Sequence, residues 1–357
     1  MKKIDKLRSE IDLNDEGILK LILKRIEKTR EIAEYKKTRG GKIYRPEREE
    51  KILRKMKKNL GREQSKIVEN VFRTIISNCR AVQKTLKISY LGPKATFTHQ
   101  AAIKIFGEFC NFAPAQSVSE VFNEIETDRA EYGVVPIENS TEGMISHTLD
   151  MFIDSPLKII NEEFLAISHC LISSGKSVKK IKKLYSHPSA FAQCRDFVSK
   201  NFAASEKIET SSTAGAVKLA GEAANAAAIA SRFAAEIYKM NILAEHIEDI
   251  SQNYTRFLVL GKTTPEPSGK DKTSLLFSLK DRPGSLHDSL VPFKKRNINL
   301  TKIESRPSRK KPWEYLFFVD CTGHTNQKKI QAVIKELAVF CNSIKILGSY
   351  PAGDSNI

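Results

Sequence analysis

Apolar residues at the start of the chain recur at helical spacing: Ile4, Leu7, Ile11, Ile18, Leu21, Ile22 and Ile32, with no proline before residue 39. The pattern predicts one long helix over residues 1–38, weakened at Gly17 by about 1 kcal/mol relative to alanine. At about 1.5 Å per residue such a helix is roughly 50 Å long. A module of 87 residues cannot cover that length, so a partner chain is expected. Gly40 and Gly41 end the helix, Pro46 suits the first turn of a second over 46–59, and Gly61 stops it before a third over 63–85.

From residue 88 the period changes. Short apolar runs such as Ile88–Leu91, Tyr132–Ile137 and Ala226–Ala230 alternate with helical stretches starting near His99 and over 145–153, 189–200 and 213–223. Alternation of this kind predicts an α/β domain with mainly parallel sheet in two lobes, with ligands outside the carboxyl ends of the strands. Polar outlets follow the runs at Glu138–Gly143, His187-Pro188 and Ser211–Thr213. Hydroxyls and free N–H groups at helix starts suit carboxylate ligands. The stretch Asp249–Gly261 joins a polar half, Ser251–Arg256, to a buried-strand-like half, Phe257–Leu260. Its Thr255 hydroxyl, beside Arg256, is suited to giving a proton near an anion; a capping threonine at a strand entry is the simpler alternative.

Residues 263–271, with Pro265, Pro267 and Gly269, read as a linker. Beyond it come a strand over 272–279, a turn at 281–284, a helix over 285–296, strands over 298–306 and 314–321, a helix over 326–340 and a strand over 343–349. This β-α-β-β-α-β order is ferredoxin-like. The expected division is 1–87, 88–262, the linker, and 272–357.

Charge sharpens the picture of the first module. Of the net charge of +17, +13 lies in residues 1–87, which hold 26 Lys and Arg against 13 Asp and Glu. The module should attract anions. Nucleic acid is the weaker option because only Tyr35, Tyr44 and Phe72 could stack on bases. Arg25 and Lys36 are 11 residues apart and so only about 20° apart around a helix. Arg8 lies about 100° off that stripe, a candidate to reach another protomer. Arg48 and Glu49 open the second helix, and Cys79 and Gln83 form an i, i+4 pair on the third. The six cysteines are scattered without a C-x-x-C pair, so neither a metal site nor a disulfide framework is indicated and reduced, cytoplasmic thiols are expected. No run approaches the length of a membrane span, and no apolar segment follows Lys2 and Lys3 as a signal peptide would require.

The order L-R-x-x-I, K-R, K-x(7)-Y-R-P-E-R-E-E and a late Gln in the third helix resembles the all-α chorismate mutase family. The resemblance implies that Arg8 (from a second subunit) and Arg25 bind the substrate carboxylates with support from Arg48. Lys36 and Gln83 would then hydrogen-bond the ether oxygen, Glu49 the ring hydroxyl, and Cys79 stands where some members have Ser. Further along, Y-L-G-P-x-x-T-F, G-V-V-P-I-E-N-S-T-E-G, S-H-P-x-A-x-A-Q-C, S-T-A-x-A, A-A-I-A-S and N-Y-T-R-F-L-V-L identify 88–262 as similar to prephenate dehydratases, a two-lobed, periplasmic-binding-protein-like α/β fold. That similarity implies Thr255 as proton donor, with Glu138 or a water feeding it, and Asn139, Ser140, Thr141, Thr213, Arg256 and Phe257 around the substrate. Lys94-Ala95 stands where Glu-Gly is commoner. Finally, K-D-R-P-G-S-L-H-D and I-E-S-R-P-S resemble the α+β, ferredoxin-like ACT domain. By position Gly284, Ser285, Leu286, Glu304, Ser305 and Arg306 would line an allosteric L-phenylalanine site between paired subunits. The resemblances together imply conversion of chorismate through prephenate to phenylpyruvate, no cofactor or metal, and a homodimer or higher oligomer. The rival expectations are an arogenate dehydratase and a catalytically decayed amino-acid sensor.

Overall fold

The computed structural model describes residues 2–308 and 315–353. Two compact units divide the chain: residues 1–86 with Phe106–Asn111, and Lys87–Ile105 with 112–357.

In the first unit, helix α1 (Lys2–Arg39) is a single uninterrupted helix, followed by α2 (Pro46–Lys57) and α3 (Arg62–Gln83). Pro46 occupies the first turn of α2, where its missing N–H is no loss. The apolar stripe of α1 is largely open to solvent: Ile4, Leu7, Ile11, Ile18 and Leu21 are each more than half exposed. Only its later part is covered, at Thr29 and Ala33.

The second unit holds three sheets. Strands β1 (Lys87–Leu91), β2 (Asn111–Ala115), β3 (Tyr132–Asn139), β4 (Gly143–Met144) and β5 (Lys158–Ala166) belong to the first lobe, with helices α4 (Phe97–Phe106), α5 (Val118–Glu126) and α6 (Ser146–Asp154). The second lobe contains β6 (Cys170–Ser173), β7 (Lys183–Ser186), β8 (Glu206–Glu209), β9 (Ala226–Ala230) and β10 (Asn241–Ala244). Its helices are α7 (Pro188–Gln193), α8 (Arg195–Asn201), α9 (Thr213–Glu222) and α10 (Arg232–Tyr238). The chain then returns to the first lobe as β11 (Tyr254–Gly261), giving the order β2-β1-β3-β11-β5, against β10-β6-β9-β7-β8 in the second. Both sheets are mixed, which corrects the expectation of mainly parallel strands. β11 re-enters from the other lobe and runs antiparallel to β3 and β5, and β6 and β10 are antiparallel to their neighbours. Part of the second lobe's core is built from methyl groups: Ala214, Ala216 and Ala220 of α9 pack against Ala226, Ala228 and Ala230 of β9.

The third sheet is built from β12 (Asp271–Leu279), β13 (Leu300–Pro307), β14 (Tyr315–Thr322) and β15 (Cys341–Pro351), in the order β13-β14-β12-β15, with α11 (Ser285–Lys295) and α12 (Lys328–Leu337). Residue 314, where the third of these strands was expected to start, lies outside the described residues. One face of the sheet carries the helices through Leu275, Phe277, Phe293 and Val333. Its other face packs on the first lobe, where Leu276, Phe318, Leu347 and Tyr350 join Phe152, Leu258 and Leu260 in one core. The intervening segment is held in place: Asp271 accepts from Ser268 N at 2.9 Å and Gly269 N at 3.0 Å, and the His324 ring meets Pro265 O at 3.1 Å.

Polar anchors tighten this seam. Lys345 Nζ donates to the carbonyls of Phe152, Ile153 and Ser155 at 2.9, 3.1 and 2.7 Å, capping the C-terminal end of α6 with a cation. Lys158 Nζ reaches Ile346 O at 2.6 Å. At Gly348 the backbones nearly touch, since a Cβ there would lie 2.1 Å from Ile159 O. Neither main chain can yield without losing its own ladder. Gly348→Ala is therefore expected to destabilise the second unit by about 1–3 kcal/mol, as overpacking does. An unchanged urea midpoint in that variant would show that the seam tolerates separation.

Candidate active sites

In the helical unit α3 serves as the spine on which the candidate mutase residues meet. Arg25 Nη1 donates to Ile75 O at 3.4 Å. One turn later Cys79 is buried, and beside it Arg80 Nη1 donates to Glu49 Oε1 at 2.6 Å. Another turn on, Lys36 Nζ donates to Gln83 Oε1 at 3.0 Å and to Lys42 O at 2.8 Å. Because Gln83 accepts through its oxygen, its amide NH2 is the end that can donate to a ligand. Burial, then the charges of Arg45 and Arg48, push the Lys36 pKa down from its ordinary value. Burial pushes the Glu49 carboxyl up, against the pull of Arg80. Arg48 is exposed at the start of α2. Arg8 stands apart: its side chain is 74% exposed and 3.9 Å from Asp5. It lies 17 residues before Arg25 on the same helix, about 25 Å along the axis. It cannot reach the others within one chain.

In the second unit a chain of amides and hydroxyls runs where the two lobes meet. Asn139, at the end of β3, donates from Nδ2 to Thr255 Oγ1 at 2.9 Å and to Asn253 Oδ1 at 2.8 Å. Its Oδ1 accepts from Thr141 N at 2.9 Å, Thr141 Oγ1 at 2.6 Å and Glu142 N at 3.1 Å. Both amide ends are thus committed, and Asn139 orients Thr255 rather than offering its own donors to a ligand. Ser140 is tied to β11 through Tyr254 N at 2.9 Å. Thr255 is buried, and a hydroxyl that already accepts a hydrogen bond is a stronger donor through its own O–H.

The chain continues into the second lobe. Asn253 Nδ2 donates to Gln193 Oε1 at 3.0 Å, and Gln193 Nε2, at the end of α7 in the other lobe, donates to Glu142 Oε1 at 2.6 Å. His169 Nε2 lies 2.9 Å from Gln193 Oε1, so the imidazole carries its proton there. Burial pushes the His169 pKa down, which favours that neutral form. Gln193, Asn253 and His169 were not singled out from the sequence, although the first two stand inside the quoted S-H-P-x-A-x-A-Q-C and N-Y-T-R-F motifs. Thr213 opens α9 behind the Ser212 cap in the second lobe, and His187 caps α7, accepting from Ser189 N at 3.2 Å.

Strand alternation sends two expected residues elsewhere, and burial removes a third. Thr255 pairs with Asn139 and Arg256 with Glu138, so the second pair points to the opposite face of the sheet. There Arg256, 6% exposed, donates to Glu162 Oε2 at 2.7 Å, Asp320 Oδ2 at 2.7 Å and Tyr350 Oη at 3.0 Å. Lys272 adds a second cation to Glu162 at 2.7 Å. Burial alone would raise the Asp320 carboxyl, but Arg256 and Lys272 hold it below its ordinary value. Glu138 is ion-paired with Lys302 of β13. Arg256 as a substrate-carboxylate ligand and Glu138 as a feeder of Thr255 are both corrected by this geometry. Phe257 is 1% exposed, a core side chain rather than a contact open to substrate.

The third sheet divides its candidates in the same way. Gly284, at φ +79°, is the left-handed residue before α11, and Ser285 Oγ donates to Lys280 O at 2.6 Å, closing the loop. Leu286 is 40% exposed. Along β13, Ser305 lies opposite Phe317 on the helix-bearing face, with the α11 start. Glu304 and Arg306 are half-buried with Lys302 on the face toward the first lobe, and Arg306 Nε lies 3.3 Å from Asp150 of α6. No single face collects all six residues.

The geometry thus describes an enzyme-like chain: a helical module with convergent cations and a two-lobed α/β domain with a buried hydroxyl where its lobes meet, backed by a ferredoxin-like sheet. Residues 7–84 match the family profile Chorismate mutase type II, 88–265 Prephenate dehydratase and 273–339 ACT domain. A Bifunctional chorismate mutase/prephenate dehydratase of Aquifex aeolicus is 46% identical over 98% of both chains. Arogenate dehydratase 2 of Petunia hybrida is 36% identical over 79% of this chain and 75% of its own. Among solved structures, a prephenate dehydratase from Arthrobacter aurescens in complex with L-Phe is similar at TM-score 0.69 and 32% identity, covering 75% of this chain and 90% of that one. The chain belongs to the bifunctional chorismate mutase/prephenate dehydratase family.

The buried cluster generates a prediction. Arg256→Met leaves Glu162 and Asp320 without their shared cation and is expected to cost about 3–5 kcal/mol. Because Asp320 is held below its ordinary pKa, its contribution is present above about pH 4 and is lost as pH falls through the depressed value. Without Arg256 the buried carboxyl rises instead, so the acid-unfolding midpoint should move to higher pH. Acid titrations followed by circular dichroism would test this; coincident curves would mean the cluster is not a net anchor.

Proposed function

We propose that the chain rearranges chorismate to prephenate in its helical unit and converts prephenate to phenylpyruvate in the cleft of the second unit, under feedback by L-phenylalanine at the third sheet. The proposed division is 1–87, 88–262 and 272–357, joined by 263–271. In the mutase reaction no nucleophile or base is needed. Catalysis comes from holding a compact conformer and meeting the charge that develops on the ether oxygen. Lys36 and the Gln83 amide supply those donors, Arg25 and Arg48 take carboxylates, and Glu49 takes the ring hydroxyl. Arg8 would complete the site from a second copy, an arrangement supported by the uncovered apolar stripe of α1. A homodimer is the smallest assembly that satisfies both features.

The observation that carries the dehydratase half is the Asn139–Thr255 contact in the cleft. Loss of the ring hydroxyl needs a positioned proton donor, and Thr255, polarised by Asn139, is that donor in this reading. Ser140, Thr141 and Thr213 remain as candidate contacts on the two sides of the cleft. Gly284, Ser285, Leu286 and Ser305 would contact phenylalanine from the helix-bearing face, while Glu304 and Arg306 would transmit its presence toward the first lobe.

The test is a chorismate assay on purified protein, following chorismate, prephenate and phenylpyruvate with and without phenylalanine, and with arogenate as a parallel substrate. Thr255→Val should lower dehydratase kcat by about 100-fold or more and leave mutase intact. Arg25→Ala should do the reverse. If either substitution abolished both activities together, the separate sites would be wrong. Arogenate turned over faster than prephenate would reassign the second reaction.

A further inference from the structure

The helical unit contains a segment that lies inside the dehydratase sequence match: Phe106–Asn111 folds with residues 1–86. Its attachment is close. The Phe106 ring is 4.8 Å from that of Tyr44, and a Cβ on Gly107 would stand 2.5 Å from Ser77 Cβ. Asn111 N donates to Leu86 O at 2.8 Å. Phe106, Tyr44 and Arg80 are 1, 2 and 3% exposed. The Arg80 guanidinium carbon sits 4.8 Å from the Tyr44 ring centre and 5.4 Å from that of Phe106. From that position Nη1 holds Glu49 Oε1 at 2.6 Å.

From this arrangement we infer that Arg80 and Phe106 are positioning residues for the mutase reaction, acting through Glu49, so that a side chain from the dehydratase segment sets up the mutase site. The inference rests on the reading of Glu49 as the ligand of the substrate hydroxyl. Two ring faces fix a desolvated guanidinium more firmly than water would, and the charge-assisted bond fixes one carboxylate oxygen. The other oxygen is then the one presented to substrate, in a single orientation. The charges acting on Glu49 are Arg80 and Arg73 from α3 and Glu47 from its own helix. Arg80 opposes the upward push of burial and so keeps the carboxylate ionised to lower pH.

The experiment uses the full chain and measures mutase kcat and KM from pH 5 to 9 for Glu49→Gln, Arg80→Met, Arg80→Lys, Phe106→Ala and Phe106→Leu, with prephenate turnover measured on each. The expected result is a loss of mutase kcat/KM of about tenfold or more in Arg80→Met, the scale of a lost hydrogen bond to a charge. Its acidic limb should move to higher pH. Phe106→Ala and the volume-retaining Phe106→Leu should shift the limb the same way and less far, and Arg80→Lys should recover part of the loss. Prephenate turnover within about twofold of the parent would separate positioning from unfolding. A normal mutase pH profile in Arg80→Met or Phe106→Leu, beside an impaired Glu49→Gln, would overturn this inference alone. An unimpaired Glu49→Gln would remove the site reading and this inference together.

Discussion

A guanidinium taken almost wholly out of water must be matched by charge and by hydrogen bonds on every side, and Arg256 is matched by groups from three separate strands. Glu162 comes from β5 in the first lobe, Asp320 from β14 and Tyr350 from β15, while Ser274 Oγ on β12 donates to Asp320 at 2.5 Å. Removing any one leaves a buried charge or dipole uncompensated, which is costlier than the pair is stabilising. The C-terminal sheet is therefore bound to the dehydratase lobe rather than tethered to it. The proposed acid, Thr255, is the residue before this anchor, so its backbone is fixed from behind.

That back-to-back arrangement defines what each face of the first-lobe sheet does. Asn139 and Thr255 share the face that meets Asn253 and the second lobe; Glu138 and Arg256 look toward the third sheet. Lys302 and Arg306 of β13 grip Glu138 on β3 and Asp150 on α6. A shift of β13 relative to the lobe would act on the strand that carries Asn139, one residue from its contact with Thr255. Allostery needs two such states with different affinities for the effector.

Element boundaries and motif order were legible because helix spacing, turn residues and strand runs are local signals. Pro46, Gly61 and the alanine run at 226–230 gave limits close to those observed. Facing was harder. The run Asn253-Tyr-Thr-Arg256 reads as one polar cluster, yet a strand divides it between two environments. The period of two was enough to separate Thr255 from Arg256; what no local signal gives is that Asp320 and Tyr350, far along the chain, wait on the other side. Arg80 was missed for a related reason, since a helical arginine beside Cys79 looks solvated until Tyr44 and Phe106 close over it. Gln193 stood in a quoted motif, but its reach across the cleft depends on how the two lobes meet.

The alanine face inside the second lobe limits what that lobe can tolerate. Alanine has no rotamers to rearrange and loses no side-chain entropy on burial, so where Ala214, Ala216 and Ala220 meet Ala226, Ala228 and Ala230 the spacing of helix and strand is set by main chain rather than by side-chain shape. The lobe's larger buried side chains, Ile172, Val217 and Leu184 among them, keep rotamers of their own. A methyl group added on the alanine face would have to move α9 off β9 as a whole, because no neighbouring side chain there can turn aside.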